Sequence, residues 1–512
     1  MKTQAVPLIR THALRLHAAD DVVIAVRPLP AGTRIAHEDL ACVDPIPAGH
    51  KVATRAIAKG QPVRRYNQII GFATDDIDPG QHVHSHNLAF ENFERDYAIG
   101  ADVRSLPAPE SSASFLGLRR ADGRIATRNF IGVLATVNCS ASVARFVARH
   151  FTPEVLAAFP NVDGVLAVTH GGGCGMDAAG EGLRLMRRTM AGWARHPNFA
   201  GMVVIGLGCE VNQVADLFSN QRLEESELLR TLVIQASGGT RQTVEAGIAA
   251  VAAMLPHANA VTRVSVPASH LTVALQCGGS DGYSGITANP ALGAACDLLV
   301  AQGGTVVLAE TPEVYGAEHL LTRRAVRPEV AEKLIRRIKW WEEYTARNQG
   351  SMDNNPSPGN KAGGLTTILE KSLGAVAKGG TTNLVDVYEY AEPITAKGFV
   401  FMDSPGYDPV SITGEIAGGA NLVSFTTGRG SVYGCKPAPS IKIATHTALF
   451  ERMREDMDVD SGGILDGSAT VAQKGQEIFD LWLRVASGEK SRSEALGIGD
   501  EEFVPWQLGA VM

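Results

Sequence analysis

From about residue 130 onward, short apolar runs alternate with stretches in which apolar positions recur every three or four residues. The runs are FIGVLATV, GVLAVTH, MVVIGLG, TLVIQ, LTVALQ, TVVLAE, FVFMD, NLVSFTTG and IKIAT. The helical stretches are Ser140–Phe151, Ala178–Arg195, Thr240–Leu255, Pro290–Gln302, Pro328–Arg347, Leu365–Ala377 and Thr470–Ser487. Near-continuous apolar strands separated by amphipathic helices predict parallel sheets buried on both faces. PHANAVTRVSVPASH reads as a loop and sets a boundary near 256–270, so two α/β domains are expected.

The first 90 residues follow another rule. LPAG, IPAG, IAKG and IDPG repeat one turn, and the short runs VVIAV, KVATRAI, PVRRY and QIIGFA lie around them. Small strands with Pro-Gly turns at this spacing predict a compact all-β module. The polar segment that follows reads as a linker, and GLRRADGRIATRNF as a hairpin or turn entering a new domain. The boundaries are 1–90 for the β module, 91–115 for the linker, 116–260 for a middle α/β domain and 261–512 for a C-terminal α/β domain.

A chain of 512 residues exceeds one ordinary core, in keeping with several domains. The net charge of −7 and the lack of a long basic run disfavour nucleic acid and acidic membranes as partners. An anionic ligand then needs specific Lys and Arg residues. Seven scattered cysteines, an odd count, make no disulfide scaffold and point to a reduced compartment. MKTQAVPLIRTHALRLHAADD lacks a signal-peptide core, and no run approaches a membrane span, so the expected location is the cytoplasm.

Nearly every expected strand ends in a polar or glycine-rich signature, and open parallel sheets bind ligands beyond the carboxyl ends of their strands. His170 and Cys174 share one such loop, and Cys209 with Glu210 and Cys277 follow two other strands. Thiolate and imidazole suit a transition metal, although for each cysteine alone an inert buried thiol competes with that reading. Asp281, Glu310, Glu313, Asp403 and Asp408 also fall at strand ends, as metal ligands, bases or helix caps. In HVHSHN, His82, His84 and His86 alternate, and a strand would place all three on one face as metal ligands. Lys361, Arg429 and Lys442 are the candidates for anion recognition. The glycine-rich loops match neither the Walker A nor the dinucleotide pattern, so no nucleotide cofactor is expected.

The strings GLGCE with Asn212-Gln213-Val214, CGGSDGYSGITANP, ETPEVYGAE, NPSPGNKAGG, KSLG, FTTGRG and IKIAT resemble the altronate/galactarate dehydratase family over nearly the whole chain. The N-terminal module is similar to the β-clip (SAF-type) domain of these enzymes. The resemblance implies a β-clip domain, a middle domain that can mediate dimerisation, and a C-terminal Rossmann-like domain holding a metal, usually ferrous iron, with manganese as an alternative. It also implies a homodimer that dehydrates a sugar acid, altronate- or galactarate-like, to a 2-keto-3-deoxy sugar acid. In that reaction a base removes the C2 proton and the C3 hydroxyl leaves, while a divalent metal neutralises charge on the substrate carboxylate.

The expected catalytic residues are His170, Cys277, Asp281 and Lys442, with His170 the first candidate for the base and Lys442 the second. Asn289, Asn360, Lys361, Thr427 and Arg429 are expected to hold substrate. His82, His84, His86, Cys174, Cys209, Glu210, Cys277 and Glu310 are the candidate metal ligands. Two alternatives stand beside this reading: a C–S lyase acting on a sulfolactate-like acid, and a non-catalytic metabolite-binding protein.

Overall fold

The structure is a computed structural model and describes residues 12–105, 109 and 111–509. The N-terminal reading therefore lies, as far as Thr11, outside the described residues. The first module is all β. An antiparallel sheet runs in the order Ala13–Leu14, Val22–Ala25, Lys51–Ala53, His82–Val83, beside a second sheet of Pro62–Arg65, Gln68–Ala73 and Leu88–Ala89. The repeated turns end in glycines with positive φ: 80° at Gly32 and Gly49, 78° at Gly60 and 87° at Gly80. At Gly80 a Cβ would also stand 2.2 Å from the Ala41 carbonyl oxygen, so no other residue closes that turn.

HVHSHN departs from expectation. Only His82–Val83 is strand, and the chain then turns. The imidazoles therefore do not line one face of a strand. They gather through the turn, and His50 joins them.

The nine apolar runs all contain strands. In the middle region Gly164–Val168, Phe130–Ala135, Phe199–Gly206 and Leu229–Val233 form a parallel sheet in that order. The expected hairpin is present as Ser114–Arg119 paired antiparallel with Ile125–Ala126. PHANAVTRVSVPASH is not simply a loop. The helix Thr240–Asn259 continues through Pro256, and Arg263–Pro267 pairs with Ser114–Arg119. Only Val266 of that strand is buried, so it carries no apolar run to read.

The C-terminal region holds seven parallel strands in the order Leu384–Tyr388, Gly398–Met402, Thr305–Leu308, Thr272–Cys277, Leu422–Thr427, Ser440–Ala444, Val459–Asp460. The helices Ala288–Ala301 and Val471–Ala486 pack closely together, with a Cβ on Gly475 only 2.5 Å from that of Ala294. From Thr272–Cys277 the chain builds outward on one side and then crosses to Leu422–Thr427 on the other. The topological switch point therefore lies between these two strands, and their carboxyl ends flank the crevice where such sheets bind ligands.

The β module is locked onto this domain. Lys51 and Arg65 reach the Glu370 carboxylate at 2.9 and 2.6 Å, with all three side chains buried. The Tyr283 hydroxyl donates to the Ala25 carbonyl at 3.0 Å. The segment read as a linker is also pinned, with the Tyr97 hydroxyl donating to Glu318 at 2.7 Å.

Candidate active site

Cys277 is the last residue of its strand, and Glu310 and Glu313 follow the neighbouring strand Thr305–Leu308 through the one-turn helix Thr311–Val314. One ligand atom from each of Cys277, Glu310 and Glu313 lies within 4.8 Å of the others, the one such set of three among the described residues. Two lysines enter from the excursion after residue 350. Lys378 Nζ is 2.8 Å from Cys277 Sγ, and Lys371 Nζ is 2.5 Å from Glu313. Asn355 donates to the same Glu313 oxygen at 2.8 Å and accepts from Lys371 at 2.8 Å. Gln276 donates to Asp408 at 2.9 Å.

Every one of these charged groups is buried or nearly so, and each answers to its neighbours. Burial pushes the Cys277 thiol up to about 12, against the pull of Lys378. Burial and then the Glu313 charge hold the Glu310 carboxyl well above its usual range. Burial alone would raise Glu313, but Lys371 and Lys378 hold it below. Lys378 is raised, its desolvation outweighed by Cys277, Glu310 and Glu313. Burial lifts Asp408 to about 6.

Glu310 decides whether a cation fits. It is 1% exposed, and neither carboxylate oxygen has a hydrogen-bond partner. Its backbone sits at φ 67°, a left-handed conformation that a glutamate adopts only under constraint. A buried carboxylate without a partner is costly, and a divalent cation held by Cys277, Glu310 and Glu313 would remove that cost. The thiol and carboxyl protons that burial retains are the ones such an ion displaces on binding.

A cationic and polar rim surrounds this centre. Arg429 is exposed, and its side chain runs past Gly363, where a Cβ would stand 3.3 Å from its Cδ. Asn360 closes a capping box and donates to the Ser280 carbonyl at 2.9 Å, which ties the 357–363 turn to the loop after Cys277. Asp281 is buried in that loop, accepting from Ser284 and from Thr445 at 3.0 Å each. The β module contributes the imidazoles: His84 contacts the Lys361 carbonyl at 2.9 Å, and His50 the Ala362 carbonyl at 3.3 Å. His50 and His82 share a nitrogen-to-nitrogen contact of 2.9 Å, and the ring of His86 stands 5.4 Å from that of His82. Burial lowers His82 to about 3 and His50 to about 4, so both are neutral near pH 7.

Comparison with known proteins now decides the family. Residues 11–91 match the profile for the "Altronate/galactarate dehydratase SAF domain", 117–259 that for "D-galactarate dehydratase/Altronate hydrolase, second domain", and 268–511 that for "D-galactarate/Altronate dehydratase, C-terminal". The altronate dehydratase of Bacillus subtilis (strain 168) is 34% identical over 93% of this chain and 95% of its own length. The chain belongs to the altronate/galactarate dehydratase family. Within the same circle of similarity, the galactarate dehydratase (L-threo-forming) of Escherichia coli (strain K12) is 37% identical over 93% of each chain. The (2R)-sulfolactate sulfo-lyase subunit beta of Chromohalobacter salexigens is 33% identical over 77% of this chain and 97% of its own.

Seen in this member of the altronate/galactarate dehydratase family, the residues singled out in the sequence separate into three places. Cys277 and Glu310 converge. Asp281 and Arg429 lie in loops around them, Asn360 and Lys361 on the short helix Pro358–Ala362, and Thr427 at the end of its strand, where it accepts from the Gly430 amide at 3.0 Å. Asn289 is buried beneath, bridging the Gly374 carbonyl at 2.9 Å and Thr426 at 2.6 Å. Lys442 is buried with Nζ on the Tyr433 carbonyl at 3.0 Å, and burial lowers its pKa. His82, His84 and His86 form the cluster on the β module. His170, Cys174, Cys209 and Glu210 belong to the middle sheet. There both nitrogens of His170 are taken by backbone, the Ala135 carbonyl at 3.0 Å and the Gly172 amide at 3.1 Å, so neither is free to accept a proton. Glu210 accepts from Thr136, Leu207 and Gly208 and so braces its own loop.

Sequence reasoning passed over Lys371, Lys378, Asn355 and His50. Lys371 opens the KSLG string, and every residue of its helix, Ile368–Ala375, is buried. A lysine in a run of apolar and small residues was the available signal.

Proposed function

We propose that this chain eliminates water from a sugar acid, altronate- or galactarate-like, to give a 2-keto-3-deoxy sugar acid. The observation that carries the reading is the partnerless, buried Glu310 carboxylate beside Cys277 and Glu313, in a chain whose relatives are named as dehydratases of such acids. Cys277, Glu310 and Glu313 would hold a divalent ion, ferrous iron by the mixed thiolate and carboxylate character of the set. Such an ion, when bound, supplies Lewis-acid stabilisation of negative charge developing on the substrate carboxylate.

The chain's own residues supply the remainder. Asp408, lifted by burial to about 6, is poised near neutral pH to take the C2 proton. Lys378, kept protonated by Cys277, Glu310 and Glu313, donates a proton to the departing C3 hydroxyl. Lys371 and Asn355 fix Glu313, and Arg429 and Lys361 hold the anionic and hydroxylated parts of the substrate at the rim. The β module closes the crevice over them and excludes water.

The test is an assay for keto-acid release from a panel of aldonic and aldaric acids, under reducing conditions with ferrous ion. We expect turnover with one or a few stereoisomers and its loss in Glu310→Gln. Iron-loaded protein that releases no keto acid from any of them, or that releases sulfite from sulfolactate, would overturn the proposal.

A further inference from the structure

Six of the seven cysteines take no part in the site above, and three of those six are exposed: Cys139, Cys174 and Cys209. Each follows the carboxyl end of a different strand of the middle sheet. Cys139 comes after Phe130–Ala135, Cys174 after Gly164–Val168, and Cys209 after Phe199–Gly206. These strands are neighbours, with Phe130–Ala135 between the other two. The chain passes from this central strand to one flank and then crosses to the other, so the three ends surround a second topological switch point.

Hydrogen bonds tie the three loops together beside each cysteine. The Asn138 amide donates to the Gly172 carbonyl at 3.0 Å, and the Asn212 amide donates to the Gly173 carbonyl at 3.1 Å. Thr136 donates to Glu210 at 2.9 Å. Gly173 is fixed in place, with φ 95° and a Cβ position 2.3 Å from the Thr136 carbonyl oxygen. The surroundings favour an anion. Cys139 lies in the first turn of the helix Asn138–Arg149, whose N-cap Val137 makes no side-chain cap. Gly173, Gly175 and Gly208 all have positive φ, and left-handed residues of this kind are what anion-binding backbone nests are built from. The carboxylate beside Cys209, Glu210, already accepts from Thr136, Leu207 and Gly208.

We propose that Cys139, Cys174 and Cys209 hold an iron–sulfur cluster, one thiolate to each of three irons, with a fourth iron free of protein ligands. The spacing favours a cluster over a single ion. Three sulfurs on one metal at about 2.3 Å would all lie within about 4.6 Å of one another. The one donor set of three among the described residues within 4.8 Å is Cys277, Glu310 and Glu313, so at least one pair of these sulfurs stands more than 4.8 Å apart. A cluster, in which each thiolate meets a different iron, spans the wider separation. The three thiols bind as thiolates and release three protons to solvent. This site stands independently of the proposed dehydration, because its occupancy is read without substrate.

The full chain, purified anaerobically and treated with iron, sulfide and a thiol reductant, should carry about four sulfides and about five irons, four in the cluster and one at Cys277, Glu310 and Glu313, with visible charge-transfer absorption. Cys139→Ser, Cys174→Ser and Cys209→Ser should each lose most of the sulfide, while Cys42→Ser keeps it. In the wild-type chain, iodoacetamide should label the three cysteines before loading and spare them after it, a reading that does not depend on how the variants fold. Absence of sulfide, one iron per chain without sulfide, full retention by the triple serine variant, or equal labelling before and after loading would each overturn the proposal.

Discussion

The two parallel sheets place reactive side chains at the same relative position, the carboxyl ends beside a topological switch, but they treat them in opposite ways. In the C-terminal sheet the thiol, carboxylates and ammonium groups are buried and compensate one another. In the middle sheet the thiols are exposed, and the buried Glu210 is satisfied locally by Leu207, Gly208 and Thr136. Buried charge demands partners, because an unpaired one costs several kcal/mol. The C-terminal cluster should therefore respond to substitution as a unit, and the middle thiols one at a time.

The largest effect should come from Lys378→Met. It removes the ammonium that contacts Cys277 and lies near both glutamates, leaving their charge less compensated. We expect a loss of about 3–5 kcal/mol in urea unfolding of the metal-free chain, with turnover abolished. Cys209→Ser, at an exposed position, should shift the same unfolding curve by no more than about 0.5 kcal/mol. Equal losses from the two would remove the contrast between the sheets.

Glu310→Gln sharpens the same contrast with the opposite sign on stability. Both oxygens of this carboxyl lack partners and burial holds its pKa well above the usual range, so in the metal-free chain a neutral amide replaces an acid that burial already keeps protonated and breaks no hydrogen bond. The metal-free variant should unfold at the same denaturant concentration as the wild type or higher. Ferrous affinity should fall at least about 10–100-fold. A variant that is destabilised yet binds iron normally would show that Glu310 is structural.

Glu370 provides a buried group whose partners are complete. Burial would raise its carboxyl, but Lys51 and Arg65 hold it down at about 2, below the ordinary value of 4.5. A depressed carboxylate contributes stability that is fully present above the ordinary value and is lost as pH falls through the folded one. The clamp between β module and C-terminal domain should therefore weaken between pH of about 4.5 and about 2. In an acid titration followed by circular dichroism and limited proteolysis, Glu370→Gln should flatten the slope in that window. An unchanged slope would place the acid-sensitive group elsewhere.

These contrasts mark what a sequence can reveal. Strands buried on both faces announce themselves as apolar runs, and FIGVLATV and LTVALQ are read directly. The edge strand Leu384–Tyr388 is not, because Asp386 interrupts its apolar pattern. Cys277 and Glu310 were legible because a strand end fixes where a side chain goes. Lys371 and Lys378 were not, because a buried lysine has the same letter as a solvated one, and only tertiary folding brings it to its counter-charge. The histidines show the limit from the other side: alternation suggested a strand face, whereas a turn and the distant His50 built the cluster.

The smallest effect on turnover belongs to Cys296→Ala, and it tests whether the C-terminal cluster has a sharp edge. Cys296 is fully buried on the helix Ala288–Ala301, with its sulfur 3.2 Å from the carbonyl of Lys378, the residue whose ammonium meets Cys277. Burial keeps it a thiol, with its pKa raised well above the ordinary value. It therefore touches the cluster's scaffold but carries no charge into it. Truncation should remove a small packing contribution, about 1 kcal/mol, and change turnover less than about twofold, because Gly293 already packs this helix against the Ala377 carbonyl. Cys277→Ala removes a donor from the proposed ion and the sulfur partner of Lys378, so its loss should fall on iron content and turnover. The two variants are to be compared by melting temperature, bound iron and kcat side by side. If they lose stability alike and both keep wild-type iron and turnover, the carboxyl end of Thr272–Cys277 is not where this enzyme does its chemistry.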